Sequence, residues 1–304
     1  MAKNIPTEFY AKLVYPSLLL SFALLVALKI PGLGMKIGGA SRWLRVGGLS
    51  FQPSELAKLS LALYLAYSMS RKTTEMSSFL KGFVPHLVVA GMFMGLIVLQ
   101  PDLGTCIIIA AWLIVLLFVG GVRMTHLLGL ALLCAPAVVY LIYKADYRLK
   151  RLWAFINPWE DPQGLGFQII HSFLAFGSGG LFGVGLGNSK QKLFYLPEPH
   201  TDFILSIVAE ELGLAGMAAV VILFTILIMR GIKVALDAPD LYCTYLALGI
   251  TSFIALQVIV NMGVVLGLLP TKGLTLPLIS YGGSSLLISL VGIGVLLNIS
   301  SRTS

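Results

Sequence analysis

The sequence predicts an all-helical protein that crosses a membrane several times, and three observations carry the prediction. Hydrophobic residues make up 58% of the chain and charged residues 11%, with a mean hydropathy of +0.93. An ordinary soluble domain carries roughly 25% charged residues. Eight apolar runs come close to the ~20 residues that span a bilayer as a helix. None of them alternates with the period of two that marks a membrane barrel, so strands are excluded as the spanning elements.

The first run, about Ala11–Ile30, follows a polar start and has no small-residue cleavage site behind it, so it reads as a retained helix and not a signal peptide. The second, Pro53–Ser70, opens on Pro53-Ser54-Glu55, with proline in the first turn and an acid at the positive end of the dipole. The third, Phe83–Leu99, holds Gly91 and Gly95 four apart, a small-residue packing face. The fourth, Leu103–Val122, starts after Pro101-Asp102, and the fifth is His126–Tyr143. The sixth is Phe203–Met229, the seventh Cys243–Leu268 with a second such pair at Gly263 and Gly267, and the eighth Gly282–Ile299. Cys106, Cys134 and Cys243 lie inside runs without paired spacing and give no disulfide framework. His86, His126 and His171 are isolated, and no metal is assigned to them.

These runs form one membrane domain, 1–304, interrupted by a large loop at 144–202 between the fifth and sixth helices. At more than 50 residues the loop is too long for a plain connection and too aromatic for disorder. It reads as a folded cap with a re-entrant or interfacial helix around Gly166–Phe176. The glycine run Gly177–Gly187 matches neither nucleotide-binding pattern and serves tight turns or close backbone approach. No internal repeat is present, which weighs against a secondary transporter.

With both ends on one side, nine basic residues fall on the terminal side and ten on the other. Discounting the long loop leaves nine against four and places both termini in the cytoplasm. Basic residues held outside against that bias, including Arg42, Arg45, Lys144, Arg148, Lys150, Arg151 and Lys272, suit an anionic ligand.

Asp202 stands at the start of the sixth helix, where a carboxylate either caps backbone N–H groups or does chemistry. Glu198, His200 and two prolines beside it exceed what a cap requires. Glu210 and Glu211 follow deeper in the same helix, where acids face a bundle interior or a wet cavity. Glu210 lies nearer the face of Asp202 and is the candidate for the cavity, Glu211 for structure. Glu55 and Lys58, three apart, share a helix face as a packing ion pair or a cavity element. Asp102 reads first as a cap. Arg42, Trp43 and Arg45 are either an interfacial anchor or a phosphate-recognising group.

Gly39-Ala-Ser-Arg-Trp-Leu, Gln52-Pro-Ser-Glu-Leu-Ala-Lys, Gln100-Pro-Asp-Leu-Gly-Thr, Asn157-Pro-Trp-Glu-Asp-Pro, Leu196-Pro-Glu-Pro-His-Thr-Asp-Phe, Ala209-Glu-Glu-Leu-Gly and Leu276-Pro-Leu-Ile-Ser-Tyr-Gly-Gly occur in that order. Together they resemble the SEDS family (shape, elongation, division and sporulation proteins), and its division-type branch most. The resemblance implies a GT-C-like membrane glycosyltransferase of the bacterial inner membrane, at the division septum. Its substrate would be lipid II, the undecaprenyl-pyrophosphate disaccharide pentapeptide, polymerised into peptidoglycan strands. Implied partners are a class B penicillin-binding protein and divisome proteins, with no nucleic acid. Family members have ten helices, so the first two would be absent from this chain.

By motif, Asp202 takes the place of the family's essential acid, Glu55 and Lys58 of its cavity pair, and Arg42 and Trp43 of its outer-loop motif. Asp202 is therefore expected to be catalytic. The expected substrate-binding set is Arg42, Trp43, Arg45, Glu55, Lys58, Asp102, His200, Glu210, Lys272 and Ser280. A divalent cation, magnesium or manganese, is a further expectation for the leaving pyrophosphate. Three alternatives stand beside this one: a lipid II flippase, an elongation- or sporulation-type polymerase, and a scaffold that recruits the crosslinking enzyme.

Overall fold

A computed structural model describes residues 6–37, 40–46, 49–164, 166–192 and 200–302. In chain order the helices are α1 (Thr7–Ala27), α2 (Pro53–Arg71), α3 (Val84–Val98), α4 (Leu103–Val119), α5 (Met124–Tyr143), α6 (Asp146–Ile156), α7 (Phe167–Gly179), α8 (Ile204–Leu236), α9 (Leu241–Val265) and α10 (Gly283–Ser300). All eight apolar runs are helical. Among the described residues six stretches are long and apolar enough to cross a membrane: α1, Phe79–Val98, α5, α8, α9 and α10. In the second of these a π-helical turn, Phe79–Phe83, leads into α3.

The other two runs fall short for separate reasons. The α4 helix has 17 residues, and α2 carries serines, Glu55 and Lys58 in place of a uniform apolar surface. Most of α2 is nevertheless buried, so its polar groups meet protein and not lipid. Ser60 Oγ, for example, lies 2.9 Å from Leu56 O and 3.1 Å from Ser17 O. The sixth run extends past Met229 to Leu236, through Gly231, because no proline intervenes before Pro239.

Pro31–Gln52, expected as a loop, contains an antiparallel three-stranded sheet in the order β1 (Gly34–Ile37), β2 (Ala40–Val46), β3 (Leu49–Phe51). Gly-Gly separates each pair of neighbouring strands, at 38–39 and 47–48. Residue pairing slips at Met35 and Lys36, which face Trp43 and Ser41, so Arg42 is the extra residue of a β-bulge.

The chain divides into two compact units. The first comprises Met1–Leu128, Ile228–Leu256 and Gly282–Ser304. Its core is built on α2 and α4, where Leu61, Leu65, Met69, Ile109, Trp112 and Leu116 are almost wholly buried. Trp112 donates its indole N–H to Gly249 O at 2.9 Å and meets Phe253 edge to face at 5.3 Å, which satisfies both ends of an amphipathic ring.

The second unit comprises Gly129–Leu227 and Gln257–Tyr281. Here α8 is broken at Gly213, whose φ of 65° and ψ of −162° lie outside the helical region. The loop after α7 repairs the break. Leu214 N donates to Gly180 O at 2.9 Å and Ala215 N to Leu181 O at 3.1 Å. In return, Val184 N and Gly185 N donate to the carbonyls of Glu210 and Glu211 at 3.0 and 3.1 Å. Non-helical backbone inside a membrane helix thus finds hydrogen-bond partners in the loop, as a low-dielectric setting demands. Gly183 and Gly213 permit the approach, since a Cβ on either would fall onto backbone of the other segment. The helix expected around Gly166–Phe176 is α7, fixed by Ser172, whose hydroxyl bonds Val265 O at 2.6 Å and Ser206 Oγ at 2.8 Å.

Candidate active site

Asp202 lies in the turn that delivers the chain into α8, partly exposed, with Phe203 behind it almost wholly buried. The turn is held by its carbonyls. His200 O accepts from Tyr281 N at 2.8 Å, Thr201 O from Ser280 Oγ at 2.5 Å, and Asp202 O from the side-chain amide of Asn261 at 3.1 Å. The same amide donates to Leu274 O at 2.6 Å. The Lys272–Gly273 backbone therefore runs beside the carboxylate, and a Cβ built on Gly273 would lie 3.2 Å from Asp202 Oδ2. The structure thus brings together four of the expected residues, Asp202, His200, Lys272 and Ser280. His200 is exposed and Lys272 half-buried.

In this unit two members of the expected substrate-binding set have their polar groups taken by the protein. Ser280 is buried, and its hydroxyl accepts from Leu276 N at 2.8 Å while donating to Thr201 O, so both of its roles are taken by the protein. Glu210, expected to serve a cavity, is instead a loop anchor. It is 2% exposed; Oε1 accepts from Lys190 N at 3.0 Å, and Oε2 from Gln191 N at 3.2 Å and from Ser189 Oγ. Glu211 pairs with Lys192 Nζ at 2.8 Å and accepts from Ser189 N at 3.3 Å, so both glutamates fasten residues 189–192.

In the first unit, Asp102 is the cap expected of it, with Oδ1 accepting from Thr105 N at 3.1 Å at the start of α4. Its Oδ2 lies 3.4 Å from Arg42 Nε, and Arg42 also donates to Pro101 O at 2.8 Å. The guanidinium expected to recognise phosphate is therefore bound to the α3–α4 turn. Lys29 donates to Leu99 O and Gln100 Nε2 to Leu25 O on the same turn, two contacts the sequence reading missed. Arg45 does not join Arg42: it is exposed and follows buried Leu44, so it faces away, and Trp43 is half-buried. The loop cations behave similarly, with Arg148 and Arg151 over the ring of Tyr147 at 5.4 and 5.8 Å.

Glu55 and Lys58 form a buried ion pair at 2.6 Å, with Lys58 Nζ also 5.0 Å from the centroid of Phe253. At 8% and 6% exposure, each charge depends on the other, and the ammonium also on that ring. Among the described residues no three His, Cys, Asp or Glu side chains gather as a metal-binding group. Glu198 lies outside the described residues.

A family model described as "Cell cycle protein", for FtsW, RodA and SpoVE, matches residues 1–304. "Probable peptidoglycan glycosyltransferase FtsW" of Geobacter sp. (strain M18) is 46% identical over 302 residues, 99% of this chain and 82% of the relative. Stage V sporulation protein E of Bacillus subtilis (strain 168) is 50% identical over 283 residues, 93% of this chain and 77% of that one. Among solved structures, a chain from work on the coordination of polymerization and crosslinking by a peptidoglycan synthase complex has a TM-score of 0.82 at 32% identity. That match covers 99% of this chain and 84% of the other. Match along the whole chain, identity and fold agree with the ordered motifs: the chain belongs to the SEDS family of polytopic membrane proteins.

Proposed function

We infer that this chain is a peptidoglycan glycosyltransferase of the division type. The observation that carries the inference is 46% identity across 99% of the chain to a relative named for that activity, joined to an acid placed at the head of α8. In this reading the donor and acceptor are lipid-linked muropeptides of the lipid II class. The acceptor's 4-hydroxyl oxygen attacks the donor's anomeric carbon, and Asp202 takes the hydroxyl proton as the new bond forms. The bond from that carbon to the pyrophosphate breaks, and the polyprenyl pyrophosphate departs with the electron pair. A single displacement inverts the anomeric centre and leaves a β-1,4 link. Lys272, one residue from the Gly273 backbone beside the carboxylate, supplies positive charge for the leaving group. A magnesium or manganese ion at the pyrophosphate belongs to the same proposal.

The partner in this reading is a class B penicillin-binding protein, supported by the likeness to the synthase complex. The site of action is the bacterial plasma membrane at the septum, among divisome proteins, with both termini cytoplasmic. The test uses purified protein with its cognate penicillin-binding partner and labelled lipid II, with moenomycin added to silence other polymerases. Glycan chains on a gel are the expected product, and a flippase would make none. Asp202→Asn should lower the rate by about 10²–10⁴. Because Asn caps helices about as well as Asp, a variant that keeps more than about a tenth of the wild-type rate overturns the assignment of Asp202 as base.

A further inference from the structure

We propose that Asn261 is a positioning residue for the transfer, holding the Asp202 carboxylate and the Lys272 segment in one frame. The proposal rests on the reading of Asp202 as base. Asn261 sits on α9 at 1% exposure, in a run of apolar residues where an amide is costly unless its groups are bonded. Both amide hydrogens have acceptors, Asp202 O at 3.1 Å and Leu274 O at 2.6 Å. Among the described residues its Oδ1 is buried without a hydrogen-bond partner, so the side chain carries an acceptor that an apolar residue of similar size would avoid. What the amide provides in exchange is its two donors. One fixes the peptide plane of the acid itself, and the other fixes the backbone two residues after Lys272.

Asn261 completes a set. Three consecutive carbonyls, His200, Thr201 and Asp202, are each claimed by a donor from Tyr281, Ser280 and Asn261. Asn261 is the donor to the plane that follows Asp202, and the direction of the Asp202 Cα–Cβ bond is coupled to that plane. The substrate itself makes no contact with Asn261 in this scheme. Its loss therefore acts on the saturating rate and leaves the lipid II concentration for half-maximal rate in place.

The experiment measures initial rates over a range of lipid II concentrations for the protein with its penicillin-binding partner. Asn261→Ala and Asn261→Asp, which has the shape of Asn but no amide donors, are compared with wild type. Misplacement by about an ångström can cost up to about a hundredfold, so a fall of about tenfold or more in saturating rate is expected, with half-saturation within about twofold. Retention of more than half the wild-type saturating rate overturns the proposal, and so does a loss that appears only in half-saturation. Should both variants fail to fold, Ser280→Ala and Ser280→Thr decide. Loss in the first with recovery in the second, which keeps a hydroxyl for Thr201 O, supports the frame, and a normal Ser280→Ala rate overturns it. Asp202→Asn in the same series separates the two readings. An inactive Asp202→Asn beside an active Asn261→Ala removes only the role of Asn261, whereas an active Asp202→Asn removes the base and with it what Asn261 was to hold.

Discussion

A side chain at Gly273 would crowd Asp202, because a methyl group on its Cα would stand 3.2 Å from Oδ2. Gly273 is exposed, and no positive φ obliges it to be glycine. Alanine there is tolerated by the backbone and narrows the unfolded ensemble, an effect that stabilises by about 0.4–1 kcal/mol where no strain results. The carboxylate, however, has to move by a few tenths of an ångström. Gly273→Ala should therefore melt at or slightly above the wild-type temperature while its polymerisation rate falls several-fold. A normal rate would show that the carboxylate is not constrained from this side.

The two neighbouring glutamates of α8 should separate in stability. Glu210 meets three donors from residues 189–191 in a buried setting, and Glu211 meets Lys192, whose side chain is 26% exposed. An amide in place of the Glu210 carboxylate turns one acceptor into a donor facing a donor. A lost bond to a charged group costs about 1.5–3 kcal/mol. At Glu211 the partly exposed pair is screened, and such pairs contribute roughly 0–1 kcal/mol. Thermal melting in one detergent should rank Glu210→Gln well below Glu211→Gln, and equal melting temperatures would mean that the loop is held by other contacts.

The helices were legible because apolar length survives any detail of packing, and all eight runs are helical. The sheet was missed although its signal was present, since Gly38-Gly39 and Gly47-Gly48 are two-residue hairpin patterns that the glycine-rich, basic character of Pro31–Gln52 obscured. Asp202 stands out as a candidate from its motif, and Asn261 only in principle, as an amide inside an apolar run. Glu210 misled because helical periodicity measures which face a side chain occupies and cannot register a loop, here 189–191, that returns to that face. Arg42 misled in the same way: its partners on the α3–α4 turn are about 60 residues away in sequence.

The Glu55–Lys58 pair makes a prediction about coupling. Its two charges lie 2.6 Å apart at 8% and 6% exposure, with Phe253 as the other neighbour of the ammonium. Removing one member leaves a buried charge uncompensated, which costs about 3–5 kcal/mol, whereas replacing both with apolar groups of similar volume is often close to neutral. Lys58→Met and Glu55→Gln should each lower stability substantially, and the double variant should be more stable than the sum of the two predicts, with a coupling of about 0.5–3 kcal/mol. Stability alone does not decide whether the pair also serves the reaction, so the same three variants are assayed with lipid II. A double variant that recovers its melting temperature but not its polymerisation rate assigns the charges a part in the chemistry. A double variant that recovers both shows that the pair is a packing element of α2. Additive losses in melting would contradict the ion pair itself.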